Sequence, residues 1–202
     1  MNMQSHLALL LPVAAAWWTA GYLADGLPRL NHARELRQRT GWLLALTLTG
    51  LGLTVALPIA GLGTVGPSPV DDAADGLVFA AVPALLVAGS TVRRLRRLWA
   101  GAGALSVTAR TPAPHGLRAA AAHPLVGLPL QVTGLALLPA VIMASGAGRF
   151  LGSSATGPVI TVAVLAVAAI AVRHALRHSH FAERAMPERV SSPRPAASAL
   201  HV

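Results

Sequence analysis

Five long apolar runs, none with a charged residue in its central turns, constrain the fold of this chain more than any other feature. They cover approximately residues 5–24, 41–63, 73–92, 125–146 and 155–172. A helix needs about 20 mainly apolar residues to cross a bilayer, and each run meets or approaches that length. The alternation of polar and apolar residues that a membrane barrel requires is missing from the sequence. We therefore predict an all-α, polytopic integral membrane protein with five transmembrane helices.

The composition agrees with a protein that is largely covered by lipid. Hydrophobic residues make up 54% of the 202 residues and charged residues only 11%, whereas soluble domains carry about 25% charged residues. The mean hydropathy is +0.59. The sequence contains no cysteine, which excludes disulfides, thiolate catalysis, iron–sulfur clusters and cysteine-based zinc sites.

The arginines lie on alternate sides of the predicted spans. All 16 basic residues are arginine, and they concentrate after the first, third and fifth spans, whereas the other two connections contain only Arg149. The positive-inside rule then places the N-terminus outside and the C-terminus in the cytoplasm. We expect the protein in the plasma membrane, with Tyr22, Trp42 and Trp99 at the cytoplasmic interface.

We predict one transmembrane helical domain for residues 1–180 and a disordered cytoplasmic tail for residues 181–202. The tail is rich in Pro, Ser and Ala and poor in large apolar residues, a composition that cannot bury enough surface to fold. Neither a phosphate-binding loop nor the GxSxG motif of hydrolases occurs in the chain. We predict that the protein is not an enzyme.

Two pairs of segments resemble each other along the chain. "LTLTGLGL" at 46–53 resembles "LQVTGLAL" at 130–137, and "VRRLRRL" at 92–98 resembles "VRHALRH" at 172–178. One interpretation is a parallel duplication of a hairpin, 46–98 and 130–178, with the first span added at its edge. The alternative, which we favour, is chance similarity between helices of simple composition.

The segment "VRHALRHSHFAER" at the end of the fifth span contains His174, His178 and His180. The first two lie one helical turn apart on a shared face, and such a pair can bind zinc or copper. Three other histidines are predicted on the same side of the membrane: His32, His115 and His123. A metal or haem site is therefore one interpretation. We favour a polar cap where the helix leaves the lipid, because cationic side chains suit a helix C-terminus, and we predict no metal and no cofactor.

Three aspartates at the start of the third span, and several small and polar residues within the second and fourth spans, also have both a functional and a structural interpretation. Asp71, Asp72 and Asp75 are expected to cap the third span, whose N-terminus favours carboxylates, rather than to bind a cation. Small and polar residues of the second and fourth spans either line a polar path or pack helices together, and we favour packing. These residues are Thr47, Gly50, Thr54, Gln131 and Gly134.

The arginine cluster Arg93, Arg94, Arg96 and Arg97 follows the third span. We expect it to contact anionic lipids at the cytoplasmic face. A docking patch for an acidic partner protein is the alternative.

The centres of the spans contain no carboxylate, which argues against an ion-coupled carrier or a proton pump. We predict a non-catalytic accessory or partner subunit of a membrane complex, with the bilayer and a membrane protein as partners and no nucleic acid. Two alternatives stay open. One is a permease component that works with a separate ATPase, and the other is a haem- or quinone-linked redox protein that uses the histidines.

Overall fold

The computed structural model describes residues 3–62, 69–106, 111–146 and 156–185, and in these ranges the chain is helical, as predicted. Its only extended pairing there is an isolated antiparallel bridge between His32 and Pro112. The α-helices are α1 (Met3–Gly26), α2 (Ala33–Leu62), α3 (Pro69–Gly76), α4 (Val78–Leu86), α5 (Val92–Leu105), α6 (His115–Ala121), α7 (Pro124–Ala136), α8 (Leu138–Ala144) and α9 (Thr156–Ala185).

Four helical stretches are long and apolar enough to cross a membrane, among the residues that the structure describes. They are His6–Arg29, Ala33–Leu62, His115–Ala144 and Thr161–Arg184. They match the first, second, fourth and fifth predicted spans, and they indicate a multi-pass membrane protein. The predicted third span, 73–92, falls on α3, α4 and the turn before α5 and is not one of the four. The five-span topology therefore stays a prediction.

Prolines interrupt the hydrogen-bond ladders of several helices. Pro129 lies inside α7 and Pro139 in the first turn of α8, directly after the break that ends α7 at Ala136. Because proline has no amide hydrogen, the carbonyl four residues before it loses its helical donor. For Pro129 that carbonyl belongs to Leu125, and the hydroxyl of Thr91 donates to it over 2.7 Å.

Thr91 ends a π-helical turn, Val87–Thr91, that joins α4 to α5. Such turns shift the phase of a helix and often place a side chain for a specific role. Here the turn sets Thr91 against α7, where it replaces the donor that Pro129 lacks. The donor that one helix lacks is thus supplied by an irregular turn in its neighbour.

Helix α1 lies between α2 and α7 and packs against both. Its two consecutive indoles point to different neighbours. Trp17 is fully buried, and its Nε1 donates to Thr54 Oγ1 of α2 over 3.1 Å. The Nε1 of Trp18 donates to the carbonyl of Gly134 in α7 over 2.8 Å. Helix α1 therefore joins α2 to α7.

Gly50 and Gly134 occupy the same position in the two similar segments, and each faces an indole of α1. A Cβ on Gly50 would lie 3.0 Å from the ring of Trp17, and one on Gly134 would lie 2.7 Å from the ring of Trp18. The duplication hypothesis adds α1 at the edge of the repeat, and in the structure α1 packs against both similar segments, in α2 and α7. The duplication itself stays a hypothesis.

The segments that carry most of the arginines meet at one end of the bundle. Backbone hydrogen bonds join the connection after α1 to the segment before α6: Ala33 donates to Thr111 over 3.0 Å, and Ala113 donates to Asn31 over 2.7 Å. Arg118 Nε donates to the carbonyl of Pro28 over 3.3 Å. We call this the arginine-rich end, formed by residues 27–39, 93–99, 111–118 and 173–184.

Candidate functional site

Seven polar side chains from α1, α7 and α9 and from the residue before α7 lie close together near the arginine-rich end. We call them the polar cluster. Its members are Asp25, His123, Gln131, Arg173, His174, Arg177 and His178.

His174 occupies the centre of the polar cluster and is only 4% exposed. Its Nε2 lies 3.0 Å from Oε1 of Gln131, and the amide nitrogen of Gln131 donates to the carbonyl of Gly21 over 3.3 Å. With the amide in this orientation, its oxygen can only accept, so Nε2 of His174 carries the proton. The pair thus joins α9 to α7 and α7 to α1.

Gly127 of α7 provides the space for this ring. A Cβ on Gly127 would overlap the imidazole of His174. The missing side chain lets α9 approach α7 closely, as small residues do in membrane helix pairs. The position of His174 therefore depends on a glycine one helical turn before Gln131.

Asp25 lies at the C-terminal end of α1 and forms ion pairs with Arg173 and Arg177 of α9. Arg177 Nη1 lies 2.6 Å from the Asp25 carboxylate and also donates to the Asp25 backbone carbonyl over 3.0 Å. The last carbonyls of a helix lack helical donors and carry a partial negative charge. Arg177 therefore satisfies both the side chain and the helix end.

The rings of His123 and His178 are in contact, with their centroids 4.9 Å apart and their planes tilted by 54°. Nδ1 of His123 accepts a hydrogen bond from the amide of Leu125 over 3.1 Å and so caps the start of α7. Nδ1 of His178 is buried and has no hydrogen-bond partner. These two histidines add a contact between α9 and the N-terminus of α7.

The structure does not bring the other histidines into this arrangement. His32 and His115 are exposed, and His180 lies beside Phe181 with 5.9 Å between the ring centroids. Within the described part of the chain, no group of three or more His, Cys, Asp or Glu side chains is placed to hold a metal ion. What the polar cluster does in this geometry is fasten α9 to α1 and α7.

The polar cap at the helix end stays a prediction. Within it, His174 is buried between helices, because Gly127 of α7 leaves space for its ring, and α9 continues past it to Ala185. Residues 181–185, predicted in the tail, belong to this helix, and residues 186–202 lie outside the described residues. The sequence reasoning also missed Asp25. The sequence did contain an indication of its role. In a chain with seven acidic and 16 basic residues, a carboxylate at the end of a span is expected to pair with arginines on the same side of the membrane.

The polar residues predicted in the second and fourth spans take part in helix contacts. Thr47 donates to the carbonyl of Leu43 in its own helix over 2.7 Å. Thr54 accepts from Trp17 and donates to the carbonyl of Gly50 over 2.7 Å. Gln131 and Gly134, described above, lie in contacts between helices. Thr54 also lines a cavity of about 410 Å³ beside α3 and α4, so the choice between packing and a polar path stays a prediction.

The three aspartates lie at the other end of the bundle, in α3. Asp71 packs against the end of α2, where a Cβ on Gly61 would lie 2.7 Å from its Oδ1. Asp75 is exposed. Asp71 and Asp72 fall in the first turn of α3, where carboxylates are favoured by the helix dipole.

No protein-family profile, curated protein or solved structure matches this chain.

Proposed function

We propose that the chain is a non-catalytic accessory or partner subunit of a complex in the plasma membrane. In this proposal it has five spans, with the N-terminus outside and the C-terminus in the cytoplasm, and the third span runs through α3, α4 and the π-helical turn. Four helices that are long and apolar enough to cross a membrane support the membrane location.

One observation carries the non-catalytic part of the proposal. Several polar side chains inside the bundle are engaged in bonds that join helices: Trp17 with Thr54, Thr91 with the Leu125 carbonyl, and Asp25 with Arg177. In lipid, where water cannot compete, such bonds hold helices together. A catalytic or transport site would instead need polar groups that face a cavity and stay free for a substrate.

The grouping of the arginines supports the orientation. The connections after α1 and before α6 bond to each other, and α9 delivers Arg173 and Arg177 to the same end. Trp42 and Trp99, both partly exposed, also lie near that end, as expected for aromatic side chains at the interface. In the proposed orientation the N-terminus is outside and the last arginines, which follow the final span, are in the cytoplasm. The chain must then cross the membrane an odd number of times.

Helix α9 is the surface that we assign to a protein partner. Only 6% of its candidate span is buried, compared with 44% for the span His6–Arg29. Val162, Val164 and Leu165 are each more than 60% exposed. Alanines alternate with these residues and would allow close approach of another helix. The polar cluster holds the other half of α9 in place for such a contact.

The absence of cysteine allows a sharp test. Val164→Cys creates a single reactive site on α9, and Val55→Cys is a matched control, since it lies on α2 and is 56% exposed against 61% for Val164. We expect a cysteine-directed cross-linker in native membranes to join the α9 variant, and not the control, to one protein. Equal products from both variants, or none from either, would contradict the proposal.

Mass spectrometry of the cross-linked product and of the complex purified in mild detergent identifies the partner. An ATPase as the partner would favour the permease alternative. A Soret absorption band in the purified protein would favour the redox alternative, in which His123 and His178 are the nearest ring pair.

A further inference from the structure

A groove of about 770 Å³ lies between α2 and α5 at the arginine-rich end. The two helices pack along each other, so that the start of α2 faces the end of α5. The side chains that line the groove include Arg34, Arg37, Gln38, Trp42, Trp99 and Ser106.

Two glycines shape this groove. A Cβ on Gly41 would lie 3.3 Å from Nε1 of Trp99, and one on Gly103 would lie 3.3 Å from Nε of Arg37. Trp99 therefore lies over the backbone of α2, and Arg37 lies over the backbone of α5. Each glycine makes room for a large side chain from the opposite helix. The surface between the two helices is therefore concave.

Arg37 makes two contacts in the groove. Its guanidinium lies over the Trp99 ring, 5.0 Å from the ring centroid. Its Nη1 donates to Ser106 Oγ over 3.4 Å, and that hydroxyl donates in turn to the carbonyl of Gly103 over 2.9 Å. A stacked guanidinium keeps the N–H groups at its edge available, and arginine has five of them. Most of the donors of Arg37 thus stay available to a ligand.

Among the residues that the structure describes, no carboxylate lines the groove. Glu35, the acidic residue in the same turn, lies 4.0 Å from Arg39, outside the groove. Within the described ranges, no carboxylate forms an ion pair with Arg34 or Arg37. Two guanidinium groups thus face a concave surface whose walls include two indoles.

We propose that this groove binds the headgroup of an anionic phospholipid. Guanidinium groups bind phosphate oxygens through paired charge-assisted hydrogen bonds, and Arg34 and Arg37 are placed to contact the phosphate. Trp42 and Trp99, which favour the interface, are placed to contact the glycerol and the upper acyl chains. The inference rests on the proposed membrane function, because it requires the arginine-rich end to lie at the bilayer surface.

The test uses the full chain purified in mild detergent and phosphatidylglycerol as the probe, with bound lipid measured by native mass spectrometry. We expect tighter binding of phosphatidylglycerol than of zwitterionic phosphatidylcholine. The double variant Arg34→Gln, Arg37→Gln should bind phosphatidylglycerol about tenfold more weakly or worse, because it loses the charge-assisted hydrogen bonds of two guanidinium groups to the phosphate. The double variant Arg29→Gln, Arg184→Gln removes the same charge from exposed positions and should bind like the wild type.

Equal losses in the two double variants would overturn the inference, because they would show a general charge effect. A second variant, Arg37→Lys, keeps the charge and the fold but loses the planar fork and its stacking on Trp99, so it should also bind more weakly. Wild-type affinity in this variant would overturn the proposed geometry. Displacement of the lipid by an equal concentration of inorganic phosphate would overturn the lipid assignment and indicate a free anion.

The measurement needs no partner protein. If the lipid-binding experiment fails, the cross-linking result at α9 is unaffected. If the cross-linking experiment fails, the lipid-binding result is unaffected. The two proposals can therefore be rejected separately.

Discussion

Arg177 contacts Asp25 twice, through the carboxylate at 2.6 Å and through the backbone carbonyl at 3.0 Å. The two residues are 152 positions apart in the sequence. One guanidinium from the last helix thus closes the C-terminal end of the first helix. Both side chains are mostly buried, with 17% and 18% exposure, so water cannot readily replace the contact.

Replacing Asp25 with asparagine should loosen this closure. Arg173 and Arg177 would lose their carboxylate, and we expect the free energy of unfolding to fall by about 2 kcal/mol, a typical value for hydrogen bonds to charged groups. Thermal unfolding in detergent, followed by tryptophan fluorescence, measures the effect. Glu35→Gln is the control, since the exposed pair with Arg39 should contribute only about 0.3 kcal/mol. Equal effects of the two variants would count against a special role for Asp25.

Gly127→Ala should displace His174. The added methyl group overlaps the imidazole, so the ring must move and its bond with Gln131 must break or lengthen. We expect a loss of about 1–3 kcal/mol from overpacking, measured as a lower midpoint of thermal unfolding. Gly52→Ala is the matched control, because nothing lies within 4 Å of its Cβ position in α2. This control should be neutral or slightly stabilising, and a loss as large as that of Gly127→Ala would contradict the packing argument.

Thr91→Val removes the hydroxyl that serves the Leu125 carbonyl while it keeps the shape of the side chain. The expected cost is about 1 kcal/mol, because a buried carbonyl is left unpaired. Pro129→Ala returns an amide donor to the same carbonyl. In that background Thr91→Val should therefore cost less, and a double-mutant cycle measures the difference. Strict additivity would show that Pro129 and Thr91 act independently.

The proposed topology predicts the activity of alkaline phosphatase fused to truncated chains, since this enzyme is active only outside the cytoplasm. Fusion after Gly66, in the connection between α2 and α3, should give high activity. Fusion after Pro112, which follows the proposed third span, should give low activity. The reverse pattern would overturn the orientation, and similar activities would overturn the third span.

The arginine cluster of α5 should act as a membrane anchor through its charge. Changing Arg93, Arg94, Arg96 and Arg97 to lysine keeps that charge and should preserve insertion and topology. Changing the same four residues to glutamine should produce poor insertion or mixed orientation, because anionic lipid contributes about 1 kcal/mol for each basic side chain. The fusions described above provide the measurement. Normal topology with lost partner binding in the lysine variant would instead indicate a protein that recognises arginine specifically.

Only the structure shows the hydrogen-bond partners of several polar groups, because those partners are distant in the chain. Thr91 precedes Leu125 by 34 positions, and Trp18 precedes Gly134 by 116. Pro129 predicts by itself that the Leu125 carbonyl is free, but nothing in the sequence says which side chain replaces the missing amide. The same holds for Gln131, whose two partners come from α1 and α9.

The sequence alone determined the helical class and the positions of four apolar stretches that match membrane-length helices, because helix length and hydropathy are local properties. It also predicted that the arginines after the first, third and fifth spans lie on one side of the membrane. Those that the structure describes do lie at one end of the bundle, and the cytoplasmic location of that end stays a prediction. The tertiary structure decided that α1 packs against both α2 and α7 and that His174 is buried. These features depend on which helices pack together and on how each helix is rotated about its axis. Both are determined by contacts between residues far apart in the chain, such as those of Gly127 and Gly134 with large side chains from other helices.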